Sequence, residues 1–218
     1  MAWVTTVVSA VLLVMLAWGL LYRLRSRRPA FPLRPREVAA ADRVGRVWTD
    51  NDPLLAVDAD AASAWTGIER DYERISGSEV DVGAVTAVVL TPEVDEGPVD
   101  VFALPGGELL LVSVTAADAD DWPEFLMAVG RSPTRRVGRL HVPSGRLAVF
   151  HAAAPAASLT VVEGPGAGAA PFADELLALP VAPGAYEVLE SVVDAPSYAL
   201  LAWRLTRVGT QYSTDGSR

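Results

Sequence analysis

Few residues here have the means to do chemistry. The 218-residue chain holds two histidines and no cysteine, so thiolate nucleophiles, disulfides and cysteine-based metal sites are excluded. By strand alternation His141 points away from Leu140 and Val142, while His151 follows Leu147 and Val149 on an apolar face, and neither has an evident partner. A surface histidine and a core histidine explain the two better than catalysis does, given how much geometry a site requires. No G-x-S-x-G elbow, P-loop, dinucleotide fingerprint or H-E-x-x-H is present. Carboxylates are plentiful: Glu69 with Asp71 could do acid–base work, and Asp118, Asp120, Asp121 and Glu124 crowd one stretch. That stretch lacks the sharp-turn Gly and the distal Glu of an EF-hand loop, so capping and solvation account for it better than calcium. The expectation is no catalytic residue, no metal and no cofactor.

Residues 2–22 form an uncharged run that, at about 1.5 Å per helical residue, covers a hydrocarbon core of about 30 Å. Trp3 lies near one end, and Trp18 and Tyr22 near the other, where amphipathic rings prefer the interface. Arg23, Arg25, Arg27 and Arg28 follow at once. The rival reading, a cleaved signal peptide, wants a basic leading region, a shorter apolar core and a small-x-small cleavage site, and none is found. The positive-inside rule then predicts a single span in the inner membrane, with the N-terminus outside and the bulk of the chain cytoplasmic. Residues 23–46 read as an Arg/Pro-rich linker, semi-extended over Pro29 to Arg36, and residues 208–218 as a disordered tail.

Charge divides at the linker. Residues 1–46 carry eight Arg against Glu37 and Asp42, while residues 47–218 carry ten Arg against 25 carboxylates. An acidic domain of this kind repels nucleic acid and steers basic partners toward itself.

The domain that must position any site, residues 47–207, reads as α+β with a mostly antiparallel sheet and one or two short helices. The stretch from Trp48 to Arg74 combines three large anchors, Trp48, Trp65 and Tyr72, with turn formers, and predicts a strand, a turn, a helix over Ala61 to Trp65 capped by Asp58 or Asp60, and a second turn. Gly67 is placed to end that helix. Runs at Ala84 to Thr91, Val99 to Leu104 and Glu108 to Thr115 predict strands. Six more follow, at Val137 to Val142, Arg146 to His151, Leu159 to Glu163, Leu176 to Val181, Tyr186 to Val193 and Tyr198 to Arg207. In the last, Leu201, Trp203 and Leu205 should face a core while Arg204 and Thr206 face water. Ala116 to Arg131 predicts one amphipathic helix, capped by Asp118, with Trp122, Phe125, Leu126 and Val129 on its buried stripe. Gly164 to Pro171 predicts a surface loop.

The order Trp48, Asp52-Pro53-Leu54-Leu55, Trp65 with Gly67, then Asp71-Tyr72-Glu73-Arg74 resembles the opening of the immunity protein 21 family of bacterial polymorphic toxin systems. The likeness continues in Leu147 to Pro155, in Pro183-Gly184-Ala185-Tyr186-Glu187-Val188 and in the Leu201 to Leu205 strand, spanning about residues 46 to 207. The resemblance implies a protein that binds a cognate toxin and blocks it by direct contact, the toxin being a basic nuclease-type domain in the reading that best suits the charge. Charge and expected exposure then nominate Glu69, Asp71, Tyr72, Asp118, Asp120, Asp121 and Glu124 as partner-binding residues. A scaffold domain of an envelope complex and a hydrolase with an unrecognised site are the alternatives.

Overall fold

Strands that are apolar on both faces must sit between two covering layers, and the central strands of this chain are of that kind: in β2 all five residues, Leu54 to Asp58, are buried. A computed structural model describes residues 33–50, 52–92, 96–115, 122–164 and 175–209. The expected span over 2–22 with its flanking arginines, Asp118, Asp120 and Asp121, most of the 164–171 loop, and the tail from 210 lie outside these residues. Among the described residues no helix is long and apolar enough to cross a membrane.

The described chain runs α1 (Pro35–Ala39), β1 (Asp42–Asp50), β2 (Leu54–Asp58), α2 (Ala59–Ala62), β3 (Glu79–Val82), β4 (Val85–Leu90), β5 (Glu96–Leu104) and β6 (Glu108–Thr115). It continues through α3 (Trp122–Arg131), β7 (Thr134–Val142), β8 (Arg146–His151), β9 (Thr160–Val162), β10 (Glu175–Pro180), β11 (Gly184–Ala195) and β12 (Tyr198–Arg207). The strands form two six-stranded sheets, β1-β5-β6-β12-β11-β7 and β3-β4-β2-β8-β10-β9. All pairs are antiparallel except β9 with β10, which is parallel. The α+β expectation holds at this level: mostly antiparallel sheet with few short helices.

One apolar core lies between the sheets and includes Leu54, Val88, Leu111, Leu147, Leu177 and Trp203. A second lies on the far side of the β2 sheet, where Leu55, Phe150 and Leu176 are covered by Trp65 and Ala62. A third lies on the far side of the β6 sheet, beneath α1 and α3. On α3 the expected stripe of Phe125, Leu126 and Val129 is buried, and Trp122 packs its ring 4.9 Å from that of Phe102. The helix cover corrects one expectation. Leu200 and Ala202 on the second face of β12 are buried too, and Arg204 on that face pairs with Glu108.

Three boundaries also differ from expectation. Folded structure includes residues 33–46, ahead of residue 47, because Leu33 and Val38 are buried in the third core and Pro35 sits in the first turn of α1, where its missing N–H costs nothing. The short helix is Ala59–Ala62, started by Asp58, whose side chain accepts from the Asp60 N–H. β5 extends back to Glu96; β6 pairs with it only as far as Val99 opposite Ser113, so Pro98 interrupts no bond to β6.

The two sheets read the same from either end. Each strand of the first six has its counterpart in the strand six places later, and the chain therefore consists of two halves related by an approximate two-fold axis between β2 and β8 and between β6 and β12. The register agrees in the ladders β1–β5 and β7–β11, β2–β4 and β8–β10, and across the axis; the outermost pairs depart from it, β3 being antiparallel to β4 and β9 parallel to β10. In β2 with β8, Leu54 lies opposite His151 and Asp58 opposite Leu147, a pairing that is its own image. The β1–β5 ladder slips between Arg43 and Gly45, and the β7–β11 ladder spans Gly138 to Arg136 with one residue between them left over. Those bulges fall on the same words, Arg43-Val44-Gly45-Arg46 and Arg136-Val137-Gly138-Arg139. A Cβ on Gly45 would meet Leu177 and one on Gly138 would meet Val88, themselves counterparts across the axis, so each glycine lets an outer strand of one sheet approach the other sheet.

Ion pairs repeat as well. Asp100 takes a forked bond from Arg46, both N···O distances 2.9 Å, and a second arginine, Arg43, at 3.4 Å; in the other half Glu187 takes Arg136 at 3.2 Å. Burial separates the two. The Asp100 side chain is 2% exposed and that of Glu187 24%. Asp100→Ala, which strips two arginines of a buried acceptor, is expected to cost about 2–3 kcal/mol, whereas Glu187→Ala should cost below about 1 kcal/mol. Urea unfolding of the two variants checks the difference, and equal losses would refute it.

Candidate functional site

Two halves built on one plan supply an internal control: what both share makes the fold, and what one alone carries has been added to it. The connection from β8 to β9 needs only residues 152–159, but its counterpart from β2 to β3 runs through residues 59–78. That longer connection holds Trp65, Gly67, Asp71 and Tyr72, which are among the residues that carry the sequence resemblance.

Its fixing begins at Asp58, buried at the end of β2, whose carboxylate caps α2 with one oxygen and accepts the Ser144 N–H at 2.9 Å with the other. Trp65 is 1% exposed; its Nε1 donates to the Ala152 carbonyl at 2.7 Å, and its own carbonyl accepts the Ala156 N–H at 3.0 Å. Gly67 follows with φ +64°, and a Cβ there would lie 2.4 Å from the Ala153 carbonyl oxygen. The expectation that Gly67 ends a helix is thus corrected: it opens a 3-10 turn, Gly67–Glu69, pressed against the 151–156 backbone, to which the Ile68 N–H donates at 2.9 Å. A second 3-10 turn, Tyr72–Arg74, completes the segment.

Asp71 ties the two turns together. One oxygen accepts from the Thr66 N–H at 2.9 Å and the Thr66 hydroxyl at 2.7 Å, and the other accepts from Arg74 at 2.8 Å. Arg74 donates onward to the Asp81 carbonyl, fastening the segment to β3. Burial by itself would raise the Asp71 carboxyl; the bonds from Thr66 and Arg74 outweigh it and hold the group below its ordinary 3.8. Tyr72 donates its hydroxyl proton to Asp52, and that bond, with burial and the carboxylate's charge, pushes the phenol up to about 12. His151 comes to the same carboxylate: Nε2 lies 3.3 Å from Asp52 Oδ2. Nε2 is buried and makes no hydrogen bond, so the contact is a close approach of ring and carboxylate. The sequence expectation that His151 lacks a partner is corrected here, while His141 is exposed as expected.

Held in this way, the segment exposes Ile68, at 70% the most exposed large apolar residue described, with Glu69, Arg70 and Glu73 around it. Of the nominated residues, Glu69 is exposed and Tyr72 half-buried. Asp71 is not available to a partner; it is buried, with both oxygens taken, because a short carboxylate beside Thr66 N–H groups satisfies the backbone locally. Glu124 is exposed on α3, which covers the opposite sheet, so the structure does not bring it to Glu69 and Tyr72. Ile68 is the residue that sequence reasoning missed. Its signal was an isolated apolar residue in a run of turn and charged residues, a weak one since single exposed apolar residues are common. Among the described residues no group of three or more His, Asp or Glu is placed to hold a metal ion. A cavity of about 280 Å³ lies elsewhere, at the far end of β6, β11 and β12, lined in part by Ser113, Thr115 and Asp194.

Compared with protein-family models, curated protein sequences and solved structures, the chain finds no match.

Gly67→Ala should destabilise the protein by about 2 kcal/mol or more, since it combines a left-handed backbone with a clash against backbone; thermal unfolding measures it. Asp71 has a lowered folded pKa, so its stabilisation is present above 3.8 and fades as pH falls through the lower folded value. The stability gap between the wild type and Asp71→Asn should therefore be open at neutral pH and close under acid, as followed by urea unfolding across pH. Asp52→Ala should return the Tyr72 phenol toward 10.0, read as phenolate absorbance.

Proposed function

We propose that this chain is a membrane-anchored immunity protein that binds a cognate toxin and neutralises it by direct contact, without performing a reaction. One observation carries the reading: a rigid segment present in only one of two matching halves holds an exposed Ile68 among charges. Such an arrangement suits binding, since an apolar anchor that is already ordered loses little entropy on association. The resemblance to the immunity protein 21 family supports the choice of partner, because its most distinctive residues are those that build this segment. Glu69 and Glu73 at the surface, within an acidic domain, suit a basic partner such as a nuclease-type toxin domain. Residues 2–22 hold the protein in the inner membrane with the domain in the cytoplasm.

Affinity capture of the full, detergent-solubilised chain from its source cells tests the proposal. The expected result is one polypeptide ending in a small basic domain, released as salt screens the charges. Replacing Ile68 with Asp should weaken that capture by about tenfold or more, as loss of a central apolar anchor does, with unfolding midpoints unchanged. An envelope assembly in place of a toxin, or capture indifferent to Ile68, would overturn it.

A further inference from the structure

The place where the chain enters its domain orients the domain. Leu33, the first described residue, is 4% exposed and wedged against α3, where a Cβ on Gly130 would come within 2.7 Å of it. With Val38 it seats α1 beside α3 on the outer side of the β6 sheet. The described chain therefore starts on that side of the domain, opposite the Ile68 segment. Residues 23–32 alone separate the expected span from Leu33, a reach of about 35 Å at full extension.

Charge is layered on the same side. Arg34, Arg36, Arg43, Arg131, Arg136 and Arg139 are exposed there. Of the described carboxylates on this side, Asp100 and Glu108 are 2% and 4% exposed and engaged by arginines, Glu37 and Glu187 are half-buried, and Glu124 is exposed, so the exposed arginines outnumber them. Arginine stems let the cation reach outward while its partner stays in the sheet. The cover over the other sheet presents Asp60, Glu69 and Glu73 outward with Arg70 and Arg74 among them, Arg74 being engaged by Asp71, so the excess there is acidic.

We infer that the α1–α3 face docks on the anionic lipid headgroups of the membrane that holds the span, so that the Ile68 segment faces away from the bilayer. The inference rests on reading residues 2–22 as a membrane span. It gives the two faces separate tasks: the basic one meets lipid, where arginine near an anionic surface is attracted, and the acidic one is left open to a protein.

The absence of cysteine makes the test clean. Ala39→Cys in α1 and Ser63→Cys beyond α2, both exposed positions, each carry a fluorophore in the full chain, reconstituted into phosphatidylcholine vesicles containing phosphatidylserine and a headgroup quencher. Quenching at position 39 should exceed that at position 63 by about threefold or more, and should fall when phosphatidylserine is omitted or salt is raised. Joint replacement of Arg34, Arg36 and Arg131 by Gln should lower it while the chain stays with the vesicles. Equal quenching at both positions, or none at either, in a chain that remains vesicle-bound overturns the docking and leaves the span standing. A chain that stays in solution overturns both.

Discussion

Trp65 is the contact on which the added segment depends. The outer side of the β2 sheet offers Leu55, Val57, Ala148, Phe150 and Leu176 to whatever lies over it, and this apolar surface has to be removed from water. A single indole, 1% exposed, supplies much of the cover and also fixes its position, because its N–H finds the Ala152 carbonyl at the end of β8. Burial and direction come from one side chain. Gly67 can then lie against the 153–155 backbone, and Asp71 can close the two turns around Thr66. The exposed tip is ordered because its base is a core.

The duplicated plan explains which features are general. Bulge glycines, arginine–carboxylate pairs and alternating apolar strands occur in both halves, since each half must close one sheet over the other. Where the halves differ, the difference is local: a long β2–β3 connection against a short β8–β9 one, and β3 antiparallel to β4 where β9 is parallel to β10. The parallel pairing follows from the connections. β3 and β4 are joined by a tight turn at Gly83, which forces them antiparallel, whereas twelve residues, 163–174, lie between β9 and β10, and it is β9 that runs the other way, since β10 keeps the antiparallel pairing with β8 that β4 has with β2.

Much of this fold was legible in the sequence, and the rest was hidden for physical reasons. Strands such as β4, β6, β8 and β12 announce themselves through β-branched runs and turn residues, and the α3 stripe through its spacing. β3, with Val80 and Val82 alternating against Glu79 and Asp81, is too short to stand out from turn. The two-sheet plan was invisible because alternation tells which residues share a face but not which strand lies alongside. The repeated words Arg-Val-Gly-Arg are only four residues long and gain meaning from the matching bulges. At the candidate site the segment itself was legible, as the place where tryptophan, glycine, aspartate and tyrosine cluster. The roles within it were not, since an aspartate in a turn looks the same whether it faces a partner or its own backbone.

The symmetry also bears on how the Asp52, Tyr72 and His151 cluster should be understood. Histidine near a carboxylate and a phenol has the composition of an acid–base site, and position alone would not distinguish it from one. Its counterpart shows what place in the fold it occupies. Across the axis His151 corresponds to Asp58, and Asp58 fastens the end of β2 to the opposing β7–β8 turn through the Ser144 N–H. His151, at the end of β8, lies against the opposing β1–β2 turn, its Nε2 3.3 Å from Asp52 Oδ2 without a hydrogen bond. Two different side chains at matching positions thus each meet the sheet-to-sheet turn that faces their strand end, Asp58 through a hydrogen bond and His151 through close approach. In the first half that turn has gained a further attachment, Tyr72, and with it the tie between sheet and displayed segment. Asp52 is then a clasp with two arms, one from the shared fold and one from the part that only this half carries.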